Sequence, residues 1–411
     1  MDIKLDVLEN IIEQKDIEVH YQPIVSIRKK TVIGLEGLSR GVFENELIDP
    51  LTLFKKASKE KLNVQLDRIC REKVAEGFKD IYKKNKDLLL FMNIDISTMT
   101  NETVGSGFLI NLVQECQIRP ESVVLEFVES KVSDVEALKR FVDSYRSYGF
   151  LIALDDVGSG HSNLDRIAIA QPDIVKIDGV IVRDIHLDYY KQEVFKSLVS
   201  LSKNLGATVA AEGVENEEEA LKVMELGADM LQGFYFSKAQ PISSGILKNS
   251  NYSIKKISNN YSDYMTGKVN DEKNKLVEYE IVIKEVLHKL SLAEEKRFDF
   301  TLLDIVNNYR IFECLYILDS RGIQVSDSAT TYNHFLKHKS LIFHSSKKGE
   351  NHSFKKYYYF LKIMKLSKYM TEPYISVATG SLCVTMSCIF KNIENKKYIL
   401  CLDLNPDSIY I

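Results

Sequence analysis

The chain has 411 residues, of which 45% are hydrophobic and 27% charged, with 7 Pro and 19 Gly. This composition excludes a disordered, collagen-like or low-complexity protein, and the length predicts two or three globular domains. The 54 Lys and Arg against 58 Asp and Glu give a net charge of -4. This charge argues against a DNA- or RNA-binding protein that depends on neutralising many phosphates.

The sequence predicts a cytoplasmic protein without a membrane span. Its start, MDIKLDVLENII, has acids scattered through it and lacks the basic and apolar regions of a secretory signal. No run approaches the ~18 consecutive apolar residues of a membrane helix. The 6 cysteines are widely spread, without zinc-ligand spacing, so we expect reduced thiols in the protein core.

Residues 18–241 alternate short apolar runs with longer amphipathic stretches, which is typical of strands joined by helical crossovers. Eight strands are predicted: EVHYQPIV, TVIGLEGL, LLLFMNID, VVLEFVE, LIALDD, IVKID, ATVAAEG and MLQGFYF. The first connection fits only a hairpin turn, so the first pair should be antiparallel and the remainder parallel. Eight strands favour a closed barrel over an open doubly wound sheet, although strand count alone leaves both possible.

Near residue 245 the sequence changes from alternating apolar and amphipathic segments to a polar and then charged stretch. We therefore divide the chain into three predicted parts. Residues 1–245 form the α/β barrel, 246–295 a linker with a charged helix, and 296–411 a second, α+β domain. Within the linker, apolar residues with alternating spacings of three and four are Leu276, Tyr279, Ile283, Val286 and Leu290. This pattern fits a short coiled coil or a helix packed on its own domain.

Polar residues interrupt or end the apolar runs of the predicted strands, and most of them are acidic. They are Glu36, Asn93, Glu126, Glu129, Asp155, Asp156, Lys176, Glu212, Glu215 and Gln232. In parallel strands these side chains should meet at one rim of the barrel. Carboxylates at such distances must be protonated or neutralised by cations. Oxygen ligands without Cys or His favour Mg²⁺ or Mn²⁺, with room for two ions.

Such a two-ion site predicts phosphodiester hydrolysis, because paired divalent ions activate a water and neutralise the phosphoryl group. A turn just after the strand could direct both Asp155 and Asp156 into the site, with Asp155 bridging the ions. Lys176, one strand further on, could orient the water or offset the developing charge.

The motifs GLEGLSR, NID, EFVE, DDVGSGHSN, KID, AEGVEN and LQGFYF occur in this order over residues 15–241. Together they resemble the EAL domain of bacterial cyclic di-GMP phosphodiesterases. The resemblance implies a modified TIM (β/α)8 barrel with an antiparallel first strand. It also implies hydrolysis of cyclic di-GMP to linear pGpG with Mg²⁺ or Mn²⁺, and a homodimer.

The resemblance also implies the roles of the site residues. The metal ligands would be Glu36, Asn93, Glu126, Asp155, Asp156 and Glu212. The catalytic group would comprise Glu36, Lys176, Glu212, Glu129 and Gln232, with Lys176 assisting the nucleophile and Glu129 tethering the loop after Asp156. Substrate contacts would come from Gln22 and Arg40, with Glu215 supporting them. Gly37 replaces the Ala of the family's namesake motif, on the strand face opposite Glu36.

The segments LYILDSRGIQVSDS, KKGENHSFKKYYYFLK, EPYISVATGSLCVTMSCIF and ILCLDL resemble a PAS-like, Cache-type sensor domain. This resemblance implies an antiparallel sheet whose loops could enclose a small effector. The residues expected near that pocket are Tyr357, Tyr358, Tyr359, Tyr374, Thr379 and Thr385. Asp319 and Asp403 end apolar strands of the same domain.

Three further interpretations stay open. Each acid taken singly could be a solvated cap or turn residue. The protein could also be a receptor that binds cyclic di-GMP without hydrolysing it and signals through the C-terminal domain, or a scaffold with a vestigial barrel.

Overall fold

The structure is a computed structural model that describes residues 3–95, 107–128, 135–159, 164–242, 245–330, 345–376 and 379–405. The chain divides into two compact units, Met1–Thr266 and Gly267–Ile411. In the described ranges, no helix combines the length and apolar character needed to cross a membrane. All six cysteines are free and buried, as predicted.

A single sheet of nine strands forms the centre of the first unit. The strands are β1 (Ile17–Ser26), β2 (Thr31–Phe43), β3 (Glu46–Ile48), β4 (Leu89–Asn93), β5 (Val123–Val128), β6 (Leu151–Val157), β7 (Ile174–Ile177), β8 (Thr208–Ala211) and β9 (Met230–Leu231). Their order is β1-β9-β8-β7-β6-β5-β4-β2-β3, and β1 also pairs with β2. The sheet therefore closes into an eight-stranded barrel, with β3 as a short addition to β2.

The strand directions confirm the predicted modified barrel. β1 is antiparallel to both β2 and β9. The pairs β2–β4, β4–β5, β5–β6, β6–β7, β7–β8 and β8–β9 are all parallel. The hairpin β1–β2 is tight because only residues 27–30 connect its strands. β3 was not predicted from the sequence.

Helices surround the barrel. They are α1 (Leu5–Gln14), α2 (Pro50–Glu60), α3 (Asn63–Lys84), α4 (Phe108–Glu115), α5 (Val135–Ser147), α6 (Leu164–Ala170), α7 (Gly179–Val182), α8 (Tyr189–Asn204) and α9 (Glu217–Glu225). Several begin at the residue types that satisfy the first free N–H groups. Asp49 accepts a hydrogen bond from Thr52 at the start of α2, and Asn216 accepts one from Glu219 at the start of α9.

The described residues of the second unit form an antiparallel sheet and three helices. Its elements are α10 (Ile246–Ser291), which begins in the first unit, α11 (Phe298–Asn308), β10 (Phe312–Leu318), β11 (Ala329–Thr330), α12 (Lys356–Ile363), β12 (Lys368–Met370), β13 (Tyr374–Ile375), β14 (Leu382–Lys391) and β15 (Lys397–Leu404). The strand order is β11-β10-β15-β14-β12, with β13 paired to β14. All of these pairs are antiparallel.

The two faces of this second sheet differ in chemistry. On one face, aliphatic residues such as Leu400 and Leu402 pack with Tyr279, Ile283 and Val286 of α10 in one hydrophobic core. The end of α10 is thus a helix packed on its own unit, while Leu276 remains 43% exposed. The opposite face carries buried polar residues, among them Thr385, Ser387 and Asp403.

Gly37 illustrates how closely the helices approach the barrel. It lies on the outer face of β2, and an added Cβ would come within 2.5 Å of Val74 Cγ1 on α3. Val74 is buried and its β-branched side chain is stiff. The Gly in this motif therefore accommodates a valine on the neighbouring helix.

We predict that Gly37→Ala lowers the free energy of unfolding by about 1–3 kcal/mol, because the new methyl group overpacks against Val74. Chemical denaturation measures this loss. In the double variant Gly37→Ala/Val74→Ala the effects should be less than additive, since the second change makes room for the first. As a control, Gly267→Ala in α10 meets no atom within 4 Å; additive effects of the pair would contradict the packing argument.

Candidate active site

An apolar plug fills the barrel beneath the site. It consists of Ile24, Phe91, Val124, Ala153, Ile174, Ala210 and Met230. Successive side chains of a strand point to opposite faces, so the residue two positions on occupies the next layer inside the barrel. In the parallel strands these residues are Asn93, Glu126, Asp155, Lys176, Glu212 and Gln232. Because β1 runs in the opposite direction, its contribution is Gln22, two positions before Ile24.

Glu36 joins this layer from the middle of β2. The sequence placed it at a strand end, but β2 continues for seven residues beyond it, to Phe43. Two positions earlier stands Gly34, where an added Cβ would come within 2.5 Å of the Phe91 ring. The plug therefore fills the space beneath Glu36.

Lys176 lies at the centre of the polar layer and is 1% exposed. Its Nζ contacts four carboxylates: Glu36 Oε2 at 3.3 Å, Glu126 Oε1 at 2.8 Å, Asp155 Oδ1 at 3.1 Å and Glu212 Oε1 at 2.6 Å. These side chains come from four different strands or the loops that directly follow them. The structure thus brings together residues that are up to 176 positions apart in the sequence.

A bulge in β6 directs two adjacent aspartates into the site. Leu154 pairs with Val175 and Val157 with Ile177, so Asp155 and Asp156 together lie opposite the single residue Lys176. An extra residue of this kind breaks the alternation of side chains. Asp156 has a left-handed backbone conformation, with φ of 56°. The two carboxylates therefore converge through a bulge within β6, and the prediction of a turn after the strand was wrong.

Amide side chains hold the Glu36 carboxylate in place. Asn93 Nδ2 donates to Glu36 Oε1 at 2.9 Å, and Gln232 Nε2 donates to Glu36 Oε2 at 2.6 Å. Gln232 Nε2 also lies 3.3 Å from Gln22 Oε1. Both oxygens of Glu36 are consequently fixed before any ligand binds.

Burial and interactions with neighbouring groups compete in setting the pKa values of the layer. Burial would raise the pKa of Glu36, but Lys176, Gln232 and Asn93 outweigh it, and the pKa lies below its ordinary value. For Glu126, burial prevails and raises the pKa well above the ordinary value. Burial and then repulsion from Asp155 do the same to the pKa of Glu212.

The charge on the central lysine is secured by its surroundings. Burial disfavours the ammonium form of Lys176, yet the carboxylates around it outweigh burial and raise its pKa well above the ordinary value. Burial and then Asp155 and Asp178 raise the pKa of Asp156 to about 6. One permanent positive charge is thus shared by several carboxylates that repel one another.

The donor set of the site fits hard divalent cations. Asp155, Asp156 and Glu212 each offer an oxygen, and these atoms lie within 4.8 Å of one another. Within the described residues, the buried atoms Glu126 Oε2 and Gln232 Oε1 have no hydrogen-bond partner. Buried oxygens without donors are costly, and a cation would satisfy them. Mg²⁺, Mn²⁺ and Ca²⁺ are the ions that prefer such ligands.

Two cavities open next to the carboxylates. One, of about 290 Å³, is lined by Asp155, Asp156, Glu212 and Lys176 together with Gln22, Glu215 and Phe234. The other, of about 590 Å³, extends from Glu36 and Asn93 to Arg40 and to Leu51 and Phe54 of α2. The site therefore combines an acidic floor with room for a sizeable ligand.

The remaining predicted residues lie at the edges of the site or outside the described residues. Arg40 lines the larger cavity, and Glu215 is half-exposed and pairs with Arg183 at 3.4 Å. Glu129 is outside the described residues. Sequence reasoning missed Asp178, whose carboxyl group is hydrogen-bonded to Asp156. The available signal was its place at the end of the KID motif, two residues after Lys176.

Comparison with known proteins identifies the family of the first unit. The family model of the EAL domain matches residues 5–239. The probable cyclic di-GMP phosphodiesterase PdeB of Escherichia coli K12 is 28% identical over 235 residues, which are 57% of this chain and 45% of PdeB. This chain thus spans less than half the length of that relative.

Solved structures extend the comparison. The Bacillus subtilis YkuI protein, crystallised with c-di-GMP and calcium, matches 98% of this chain and 100% of its own, with a TM-score of 0.79 and 22% identity, which shows a shared fold. Klebsiella pneumoniae BlrP1, in a manganese and c-di-GMP complex, matches 55% of this chain and 56% of its own, with a TM-score of 0.51 and 28% identity. From the family match over more than half of its length, the chain belongs to the EAL domain family.

Proposed function

We propose that the barrel hydrolyses one phosphodiester bond of cyclic di-GMP to give linear pGpG, with two Mg²⁺ or Mn²⁺ ions. The observation that carries this proposal is the layer of carboxylates around Lys176, which carries more negative than positive charge. Named relatives such as PdeB, and the c-di-GMP complexes of YkuI and BlrP1, support the choice of substrate. When bound, the cations would supply an activated water and offset the charge on the phosphate.

The protein groups have separate tasks in this proposal. Glu36, Asn93, Glu126, Asp155, Asp156 and Glu212 would hold the cations. Lys176 would offset negative charge on the reacting phosphate while staying protonated among the carboxylates. Gln232 would keep Glu36 oriented, because its amide already donates to Glu36 Oε2 at 2.6 Å. The predicted role of Glu129 in tethering the loop after Asp156 stays a prediction.

The two cavities suggest how the substrate lies. Arg40 lines the larger cavity, and a guanidinium group can donate two parallel hydrogen bonds to a phosphate. Gln22 and Glu215 line the smaller cavity, and Glu36 and Asp155 line both cavities. The substrate would therefore extend across the carboxylate layer, with the reacting bond above it.

We propose that the C-terminal part, predicted as residues 296–411 after a linker over 246–295, is a PAS-like domain that regulates the barrel by binding a small effector. Its polar sheet face supports this proposal. Asp403 is buried and accepts hydrogen bonds from the hydroxyl groups of Thr385 at 2.6 Å and Ser376 at 2.9 Å. The hydroxyl groups of Tyr374 and Thr385 are also hydrogen-bonded to each other, with 2.6 Å between their oxygens. Asp319 instead accepts hydrogen bonds from Arg321 and Ile323 within its own turn.

We also propose that the barrels pair as a homodimer through α7, α8 and the loop after Asp156. The segment from α7 to α8 exposes large apolar side chains: Val180 at 65%, Leu187 at 78%, Tyr190 at 71% and Val194 at 49%. Apolar side chains concentrated in one surface segment are typical of protein interfaces. The cytoplasmic location expected from the sequence stays a prediction.

We predict that Asp155→Asn and Glu36→Gln each lower kcat for cyclic di-GMP by more than about 100-fold, since outer contacts of metal sites alone are typically worth 10–100-fold. Chromatographic analysis of pGpG measures turnover. Asp143→Asn, an exposed aspartate on α5, should retain wild-type rates. Tight binding of cyclic di-GMP by the wild type without product, in either Mg²⁺ or Mn²⁺, would establish the receptor alternative instead.

We predict that Mn²⁺ at a hundredfold excess over its Kd stabilises the barrel by about 2.7 kcal/mol, or about 5–10 °C in the melting temperature. In chelator at neutral pH, Glu126→Gln should melt at a higher temperature than the wild type. Burial raises the pKa of Glu126 well above its ordinary value, so folding must protonate this carboxyl group at a cost in free energy that the neutral amide avoids. The same variant should gain less from Mn²⁺. Calorimetry tests both effects, with the exposed Glu115→Gln as control; a Glu126→Gln variant less stable in chelator would contradict this cost of burial.

We predict that Leu187→Asp weakens the homodimer by at least about 10-fold, because it places a charge in the apolar contact. Light scattering at micromolar concentration measures the oligomeric state. Phe354→Asp, at a 67% exposed position in the second unit, should leave the dimer unchanged. A wild-type protein that is monomeric under these conditions would overturn the dimer proposal.

A further inference from the structure

Glu219, in the first turn of α9, is 1% exposed although it is a carboxylate. Its two oxygens accept hydrogen bonds from two different loops. Oε1 accepts from the Asp184 N–H at 2.9 Å, and Oε2 accepts from the Glu215 N–H at 2.8 Å. The backbone N–H of Glu219 itself donates to Asn216 Oδ1 at 2.9 Å. The side chain therefore binds backbone groups outside its own helix, in two different loops.

The two loops held by Glu219 follow neighbouring strands of the active site. Asp184 lies in the connection after β7, the strand that carries Lys176. Glu215 lies in the connection after β8, three residues beyond Glu212. Glu219 thus connects the loop following the lysine strand to the loop that carries a carboxylate of the site.

The backbones of these two loops touch each other. A Cβ added to Gly213 would come within 2.9 Å of Gly179 Cα, so only glycine allows this approach. Gly213 also has a φ of 64°, a conformation that other residues adopt at a cost. This loop therefore follows a path that must be held closely if the adjacent Glu212 is to face the site.

Further hydrogen bonds fix the same segment from its other side. The Glu212 N–H donates to Ile177 O at 3.0 Å, and the Val214 N–H donates to Gln232 O at 3.0 Å. At the Glu215 end, the loop is held by the buried Glu219 and by the exposed ion pair between Glu215 and Arg183. A carboxylate is suited to this task, since charge-assisted hydrogen bonds to N–H groups are stronger than neutral ones.

We propose that Glu219 is a positioning residue for the active site, which orients Glu212 toward Asp155 and Asp156 by holding the loops after β7 and β8 together. It touches neither substrate nor cation and acts through the backbone of Glu215. The effect on turnover rests on the proposed phosphodiester hydrolysis, whereas the effect on cation binding does not.

The test compares variants of Glu219 in the full chain. Glu219→Ala removes both acceptors, and Glu219→Asp keeps the charge but shortens the reach of the side chain. Glu219→Gln keeps one acceptor oxygen. Glu218→Ala is the matched control, because Glu218 is the exposed neighbour in the same helical turn. Circular dichroism establishes that each variant is folded.

The first measurement is Mn²⁺ affinity, followed by the electron paramagnetic resonance signal of the free ion. We expect affinity to fall 10–100-fold in Glu219→Ala and Glu219→Asp, as for other residues that orient metal ligands. Glu219→Gln should lose affinity as well, because its amide group replaces one acceptor oxygen with a donor that faces a backbone N–H. Glu218→Ala should match the wild type. The second measurement is turnover of cyclic di-GMP. We expect kcat to fall in the Glu219 variants that lose Mn²⁺ affinity, while KM changes less.

Wild-type Mn²⁺ affinity in folded Glu219→Asp would overturn the proposal. If Glu219→Ala does not fold, the Glu219→Asp and Glu219→Gln variants decide: wild-type affinity in either folded variant would overturn the proposal, and a 10–100-fold loss in both supports it. A wild type that binds Mn²⁺ but yields no pGpG refutes the proposed function alone. A wild type that binds no Mn²⁺ refutes both.

Discussion

The repulsion among carboxylates inside the barrel is the constraint on which the rest of the first unit depends. Glu36, Glu126, Asp155 and Glu212 surround one buried lysine. An apolar plug lies beneath them, so the charges are removed from bulk water on that side. Only protons or cations can neutralise the negative charge that Lys176 does not offset. This geometry is costly when empty and is therefore suited to the divalent ions proposed above.

The functional groups are divided between the barrel strands and the loops that connect them. The carboxylates that surround Lys176 stand on barrel strands or directly after them, where neighbouring strands fix the backbone. Glu215 and Phe234 instead stand in loops and line the smaller cavity. Glu219 holds two loops by binding two backbone N–H groups. This division suits a site that must hold cations closely while admitting a large ligand.

The eight strands and the acidic residues that meet at one rim of the barrel could be predicted from the sequence, because apolar runs interrupted by acids form a clear pattern. The antiparallel first pair could be predicted from the short connection between its strands. The sequence could not predict the bulge that turns both Asp155 and Asp156 inward, since one extra residue in a strand depends on pairing with Lys176 on the next strand. Nor could it reveal Glu219, whose partners are backbone N–H groups without a side-chain signature. Asp178 could be recognised from the sequence only as the final residue of the KID motif.

Counting the bound cations tests the central claim most directly. Crystals grown with Mn²⁺, with diffraction data collected at the manganese absorption edge, would locate each ion by its anomalous signal. We expect two ions per chain, held by oxygens of the layer around Lys176, including those of Asp155, Asp156 and Glu212. A protein saturated with Mn²⁺ whose ions lie elsewhere, or that leaves this layer without any ion, would contradict the account.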